Sequence, residues 1–544
     1  MSIIRGGVSD TADMVAEATT PKGDFGAGAR LFPDPGAVLK QHPNCTDTES
    51  APSILDLPIP VSLKAEYARL ETRRRFLGRS GKVLGWAGLA ALLGQGAFAR
   101  ESGGATAAQF PNFAPRAKRA IHLFMSGGPP QQDLWDYKPN LEALYDKDLP
   151  ESVRGGQQLT GMTAAQTRFP IAPSHFKFSQ YGKTGTWISE LLPWTSRIVD
   201  ELTLVKSLYT DAINHEPAQL LMNTGNMITG KPSMGAWLSY GLGSMNDNLP
   251  TYVVMTSKYP TGVNPQPISA KFWGSGFLGS QHAGVALRSA GDPVLYLSDP
   301  PGVDHATRRA MLDAVNRFNQ RTYQDFGDPE THARIEQYEM AFRMQTSVPD
   351  LLDLSDEPAS TWELYGPEAR EPGTFSYNCL LARRMAERGV RFTQIYHRGW
   401  DVHSDVVKLL PKLCHDVDRA CFALITDLKQ RGLLDDTLVI WGGEFGRTVY
   451  SQGGLSRQNY GRDHHPKCST AWLAGGGVIP GISHGQTDDF SYNVAADGVH
   501  VRDLHATLLH CLGINHEKMT FKFQGLDQKL TGVLPATVVR DLLL

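Results

Sequence analysis

The sequence lacks several features that would place it quickly. It has no basic excess: 53 Lys and Arg against 56 Asp and Glu give a formal net charge of −3, so nothing points to a nucleic-acid partner. It has no paired cysteine motif. Cys45, Cys379, Cys414, Cys421, Cys468 and Cys511 are scattered without a C-x-x-C, which excludes a disulfide framework and a structural zinc site. Cys414 and Cys421, seven apart on an expected helix, read as core packing. No apolar run approaches the ~20 residues of a membrane span, and there is no internal repeat. The length of 544 residues fits one large α/β domain with insertions, or two domains.

What is present near the start is a targeting pattern. Residues 72–78 read TRRRFLG, a weakly apolar run follows at 83–93, and Ala97-Phe98-Ala99 forms an A-x-A-like end. Basic, apolar and small-residue parts in that order make a signal peptide over 72–99. The Arg pair before x-Phe-Leu resembles the twin-arginine export motif. The expectation is a periplasmic or extracellular protein with no stable membrane span after signal removal. Residues 1–71 have weak periodicity and read as a disordered extension. A translation start downstream, at Val61 or Leu63, would explain the offset. Residues 100–117 read as a linker.

Residues 118–544 carry α/β patterning. RAIHLFM at 119–125 and LTLVK at 202–206 are apolar runs of strand length. HEPAQLLMNTG at 215–225 has Pro in its first turn and Gly at its end, the punctuation of a helix. Residues 226–374, rich in Gly, Pro and aromatics, read as a large insertion or cap. A helix over 377–388 then ends at Gly389, and VRFTQIYH at 390–397 is a strand. Leu413, Val417, Cys421, Leu424 and Leu428 mark an amphipathic helix, and 438–441 is the next strand. That order is a βαβ unit, whose strands run parallel. A strand at 469–474 and a helix marked by Val501, Leu504, Leu508 and Leu512 follow.

In open parallel sheets, ligands bind beyond the carboxyl ends of the strands. RGWDVHSD follows the strand at 390–397 and carries Asp401 and His403. TLVIWGGEFGRT at 437–448 delivers Glu444 and Arg447 on a glycine-hinged turn. GRDHHP, before the strand at 469, carries Asp463, His464 and His465. Imidazole mixed with carboxylate suits zinc, manganese or iron, and such sites activate water against phosphate or sulfate esters. Singly, each residue has a plainer reading: a loop His is most often a surface or capping group, and Glu444 could pair with Arg447. Convergence at strand ends is what marks the set. One decoy drops out. GNMITGK at 225–231 has P-loop spacing, but Pro232 stands where a magnesium-binding hydroxyl is needed, and the segment follows a helix.

These segments resemble the alkaline phosphatase and sulfatase superfamily, and more closely its DUF1501 family. FMSGGPPQQDLWDYKP, LLARRMAERGVRF, GWDVHSD, GGEFGRT, GRDHHP and VRDLHATLLHCLGI carry the likeness across roughly residues 118–535. The resemblance implies an alkaline phosphatase-like three-layer sandwich with a mostly parallel central sheet and a large insertion. It implies a divalent metal, zinc first, with manganese, calcium or iron as alternatives. The ligands would be Asp401, His403, Glu444, His464 or His465, and Asp133. The substrate would be an anionic ester, small or polysaccharide, clamped by Arg447. Aligned on Thr224-Gly225, His215 falls at the nucleophile position, as nucleophile, general base, or a contact to an anion or a metal. Asn214 and Thr210 are nearby alternatives. Phe445 departs from the family pattern by replacing a second metal histidine. No Cys-x-Pro-x-Arg is present, which argues against a formylglycine sulfatase. Two readings follow: an exported metal-dependent hydrolase of phosphate or sulfate esters, or a non-catalytic descendant that binds a metal or ligand at the cell surface.

Overall fold

Alternate residues of the central strands pack into two different cores, and this layers the domain. The computed structural model describes residues 110–288, 293–294, 299 and 302–544. The expected N-terminal extension, the signal at 72–99 and the first part of the linker lie outside the described residues. The central strands are β1 (Arg119–Ser126), β2 (Leu202–Tyr209), β3 (Tyr252–Thr256), β4 (Phe392–Arg398) and β5 (Thr437–Gly442). A short pair, β6 (Gly446–Ser451) and β7 (Arg462–His465), lies outside the main sheet, and β8 (Ser469–Ala474) returns to it. The nine-stranded sheet runs Ile482–His484, β2, β8, β5, β1, β4, β3, Val285–Ala286, with Val499–His500 beside β2. Within it only β8 runs against its neighbours.

Helices cover both faces. Ile121, Leu123 and Met125 of β1 join a core with α5 (Phe375–Glu387) and α6 (Val406–Gln430). Ala120 and Phe124 join a second core with α1 (His215–Thr224), α2 (Met234–Leu242) and α7 (Val501–Cys511). Period-two side chains in a strand buried on both sides require this arrangement. The result is the three-layer α/β sandwich that the family resemblance implied. The βαβ unit β4–α6–β5 forms with both strands parallel to β1, which lies between them. Cys379, Cys414, Cys421, Cys468 and Cys511 are free and buried. Among the described residues, no helix is long and apolar enough to cross a membrane.

Two segments differ from expectation. Residues 226–374 are not all insertion, because α2 packs under the sheet and β3 pairs with β4 from Tyr252–Phe392 to Thr256–Tyr396. Both faces of β3 are buried, so it shows no alternation and hides in a Gly/Pro-rich stretch. The remainder includes a hairpin of α3 (His305–Phe326) and α4 (Pro329–Leu352). The end of the linker is also docked: Asn112 N donates to Gly513 O and Ala117 N to Cys511 O, each at 2.8 Å.

Two histidines are sealed in the layer between α1, α7 and the sheet. His122 is pushed down to about 3 by burial and then by His505. His505, bonded to Met222 O at 2.7 Å, is pushed down to about 4, chiefly by burial. Both are neutral when folded, so between pH about 6.5 and 4 the unfolded chain binds more protons. Stability is therefore retained above this window and falls as pH drops through it, by up to about 1.4 kcal/mol per pH unit for each group. Denaturant unfolding at pH 7.5 and 5 checks this: the midpoint falls at pH 5, and the fall is shallower in His505→Gln.

Candidate metal centre

The carboxyl ends of β1, β2, β4 and β5 and the start of antiparallel β8 share one edge of the sheet, and chain reversals there bring five loops together. Gly127, just after β1, makes this possible. Its φ is +121°, and a Cβ there would lie 2.4 Å from Asp401 N, so the two loops touch through a bare backbone. Gly127 N donates to both oxygens of Glu444, at 2.9 and 3.1 Å. Gly443 permits the other half of the approach: a Cβ there would lie 2.7 Å from Met125 O.

Four side chains converge at this edge: His215 at the start of α1, Asp401 and His403 after β4, and His464 on β7. Their ligand atoms all lie within 4.8 Å of one another. The three Nε2 atoms point at one oxygen, Asp401 Oδ1, from 3.1 Å (His215), 2.7 Å (His403) and 3.3 Å (His464). Each ring is held from behind through Nδ1. His215 Nδ1 is 2.6 Å from Glu444 Oε1, His403 Nδ1 is 2.5 Å from Gln452 Oε1, and His464 Nδ1 is 2.8 Å from Ile213 O. All three partners are acceptors, so Nδ1 carries the proton in a neutral ring and Nε2 presents a lone pair inward. His215 Nε2 is buried and lacks a hydrogen-bond partner despite its nearness to Asp401.

The electrostatics follow from burial and charge. Burial alone would raise the Asp401 carboxyl. The Arg447 guanidinium, 2.5 Å away, instead holds it far below the usual carboxylate range, and the neighbouring histidines act in the same direction. Burial lowers His215, but the Asp401 carboxylate beside Nε2 and the Glu444 carboxylate at Nδ1 more than offset it and leave its proton affinity raised. His464 is lowered to about 4, mainly by burial. Three nitrogen lone pairs and a carboxylate crowd one point, with imidazoles oriented by second partners. This donor set fits a divalent cation such as zinc.

The remaining expected residues fall elsewhere. Glu444, expected as a ligand, lies one imidazole behind the cluster, held by Gly127, His215 and Gln219 Nε2 (3.1 Å). Arg447, expected as an ester clamp, is 1% exposed and fully engaged: besides Asp401 it donates to the carbonyls of Gly127, Gly128 and Arg462. His465 is turned away, stacked on Tyr492 at 3.9 Å and bonded to its carbonyl. Adjacent strand residues face opposite sides, so β7 sends only one of the His pair inward. Asp133, expected as an early ligand, is paired with Arg462 at 2.6 Å and accepts from Tyr460 OH at 3.0 Å. Phe445 does occupy the cluster's flank, with its ring 5.0 Å from His215 and 4.8 Å from His464.

Sequence reasoning missed the amides. Gln266 Nε2 donates to Asp401 Oδ2 at 2.5 Å, and Gln452 holds His403. Neither carries a pattern that would reveal it. Gln219 was findable, since it sits four residues after His215 on the same face of α1.

Residues 117–543 match the family described as "Protein of unknown function (DUF1501)". The chain belongs to the DUF1501 family. A comparison with curated proteins finds no match. Solved structures to which this DUF1501 chain is similar include a sulfatase from Pseudoalteromonas sp., at 12% identity and TM-score 0.29, covering 74% of this chain and 69% of that one. An alkaline phosphatase from the Antarctic bacterium TAB5 is 11% identical with TM-score 0.26, covering 73% and 98%. A lipoteichoic acid synthase from Listeria monocytogenes is 10% identical with TM-score 0.28, covering 77% and 75%. Scores this low decide nothing about chemistry in this DUF1501 member, which rests on its own residues.

The placement of Asp133 has a consequence. Asp133→Asn leaves Arg462 buried without its counter-charge and should cost about 3 kcal/mol or more. Metal content per folded chain should not change. Denaturant unfolding and elemental analysis of the variant read the two effects separately, and lost metal without lost stability would restore Asp133 as a ligand.

Proposed function

We propose that this protein is an exported hydrolase of phosphate or sulfate esters that depends on one divalent metal, zinc in the first instance. His215, Asp401, His403 and His464 would hold the metal. The observation that carries this reading is the convergence of three Nε2 atoms on Asp401 Oδ1, each ring oriented by an acceptor at Nδ1. Bound there, the metal supplies Lewis acidity toward an ester oxygen and lowers the pKa of water. The protein's own groups do the positioning. Glu444 holds the His215 ring through Nδ1. Arg447 keeps Asp401 ionised, and Gln266 fixes its second oxygen. His215 and His403 retain solvent contact, with side chains 13% and 21% exposed, so a substrate reaches the cluster from their side. One metal fits better than two, because Asp133 and His465 are engaged elsewhere and Phe445 fills the flank.

Export through the twin-arginine route completes the proposal, supported by TRRRFLG and the Ala-Phe-Ala end. Replacing Arg73 and Arg74 by Lys should retain the precursor in the cytoplasm; unchanged secretion would remove this part. The second reading, a non-catalytic binder, is favoured by Arg447. Its guanidinium is spent on Asp401 and backbone carbonyls, which leaves it unable to clamp an ester.

Elemental analysis after controlled reloading is the first test. One equivalent per chain is expected, lost in His403→Ala and His464→Ala and kept in His465→Ala. Less than about a tenth of an equivalent removes the metal-dependent reading. Glu444→Gln should retain the fold and weaken metal affinity about 10–100-fold, as loss of an orienting partner does. A panel of phosphate and sulfate esters then separates hydrolase from binder: turnover abolished by chelation supports the first, and a loaded but inert protein the second.

A further inference from the structure

Helix α3 carries a feature unconnected with the metal centre. One face packs on α4: Arg309 pairs with Glu339 at 2.6 Å, Asn316 donates to Glu339 at 2.5 Å, and His305 lies 4.3 Å from the Phe342 ring. About 120° around the helix, at 100° per residue, a second face points to solvent. On that face Met311 is 51% exposed, Val315 41% and Phe318 72%, with exposed Thr322 next in line. A surface helix normally turns polar residues outward. An outward apolar stripe marks a contact surface.

The spacing says what kind. Arg308, Met311, Val315, Phe318, Thr322 and Asp325 follow in steps of three and four, the a/d seam of a heptad, about 26 Å long at 1.5 Å per residue. The seam has opposite charges at its two ends, Arg308 and Asp325. A parallel pair of such helices would set Arg against Arg and Asp against Asp. An antiparallel pair, with its two-fold between Asn316 and Arg317, sets Arg308 against Asp325, Met311 against Thr322 and Val315 against Phe318. Every a position then faces a d position, and both ends close with an ion pair. Among the described residues, the Arg308 guanidinium pairs loosely, with Asp299 at 3.8 Å. A lipid surface would bury the Asp325 carboxylate against headgroups and acyl chains, which favours a protein occupant.

We propose that this seam is a self-association surface, on which a second copy of the chain docks its own α3 antiparallel. The contact is isologous, so it closes as a two-fold dimer. Its apolar core of Met311, Val315 and Phe318 is small, which places the dimer in the reversible, concentration-dependent range.

Sedimentation velocity of the full-length chain across concentration tests this. A monomer–dimer equilibrium with a Kd of about 1–100 μM is expected. Phe318→Glu should raise Kd about tenfold or more without altering thermal stability, since the side chain is exposed in the protomer. Arg308→Asp and Asp325→Arg should each weaken the dimer. The double variant should restore it, and so should mixing the two single variants. A monomer at all concentrations, or a dimer indifferent to Phe318→Glu, overturns the proposal. Failure of the double reversal to rescue overturns the antiparallel register. Phe318-dependent binding to anionic vesicles in place of dimerisation would assign the stripe to a membrane instead.

Discussion

The Asp401 carboxylate lies between one guanidinium and three imidazoles, and removing it from water has to be compensated by that ring of partners. A buried carboxylate is costly unless paired and hydrogen-bonded. Arg447 supplies the charge at 2.5 Å and Gln266 bonds the second oxygen, while the three imidazoles crowd Oδ1. Arg447 in turn is anchored by the carbonyls of Gly127, Gly128 and Arg462. The loops after β1 and β4 and strands β6 and β7 are thus tied through a single guanidinium. That role explains why the guanidinium is unavailable to a ligand.

Around this pair the sheet acts as a collecting device. Parallel strands deliver their following loops to one edge, and the one antiparallel strand, β8, begins at that same edge. His464 therefore joins residues that follow strands although it precedes one. Asp463 secures its strand on the outer side, where Oδ2 accepts from Thr160 and Thr163, each at 2.5 Å. A cation at the centre would relieve the crowding of lone pairs around Asp401, which is the physical ground for expecting metal.

Much of this was legible before any coordinates. Apolar runs, helix punctuation at Pro217 and Gly225, and the βαβ order gave the layers, because each is a local signal with a fixed period. Asp401, His403 and His464 were legible as loop residues at strand ends. The choice between His464 and His465 was not, since it depends on which way the pleat of β7 faces. Asp133 and Arg447 looked chemically apt, but their ionic partners, Arg462 and Asp401, come from other elements. Strand β3 was hidden because burial on both faces erases alternation, and Gln452 and Gln266 because a loop glutamine has no local signature.

The sequence by itself determined the α/β layering, the strand-end address of the site and the residue types available there. It also set the heptad spacing on α3, which needs only a helix to become a seam. The tertiary structure decided placement. It set Glu444 behind the His215 ring, Arg447 against Asp401 and His215 within the cluster, and it turned His465 toward Tyr492 and Asp133 toward Arg462. The reason is that a ring or carboxylate acquires its chemistry from the atoms within about 3 Å of it, and in this protein those atoms come from segments hundreds of residues apart.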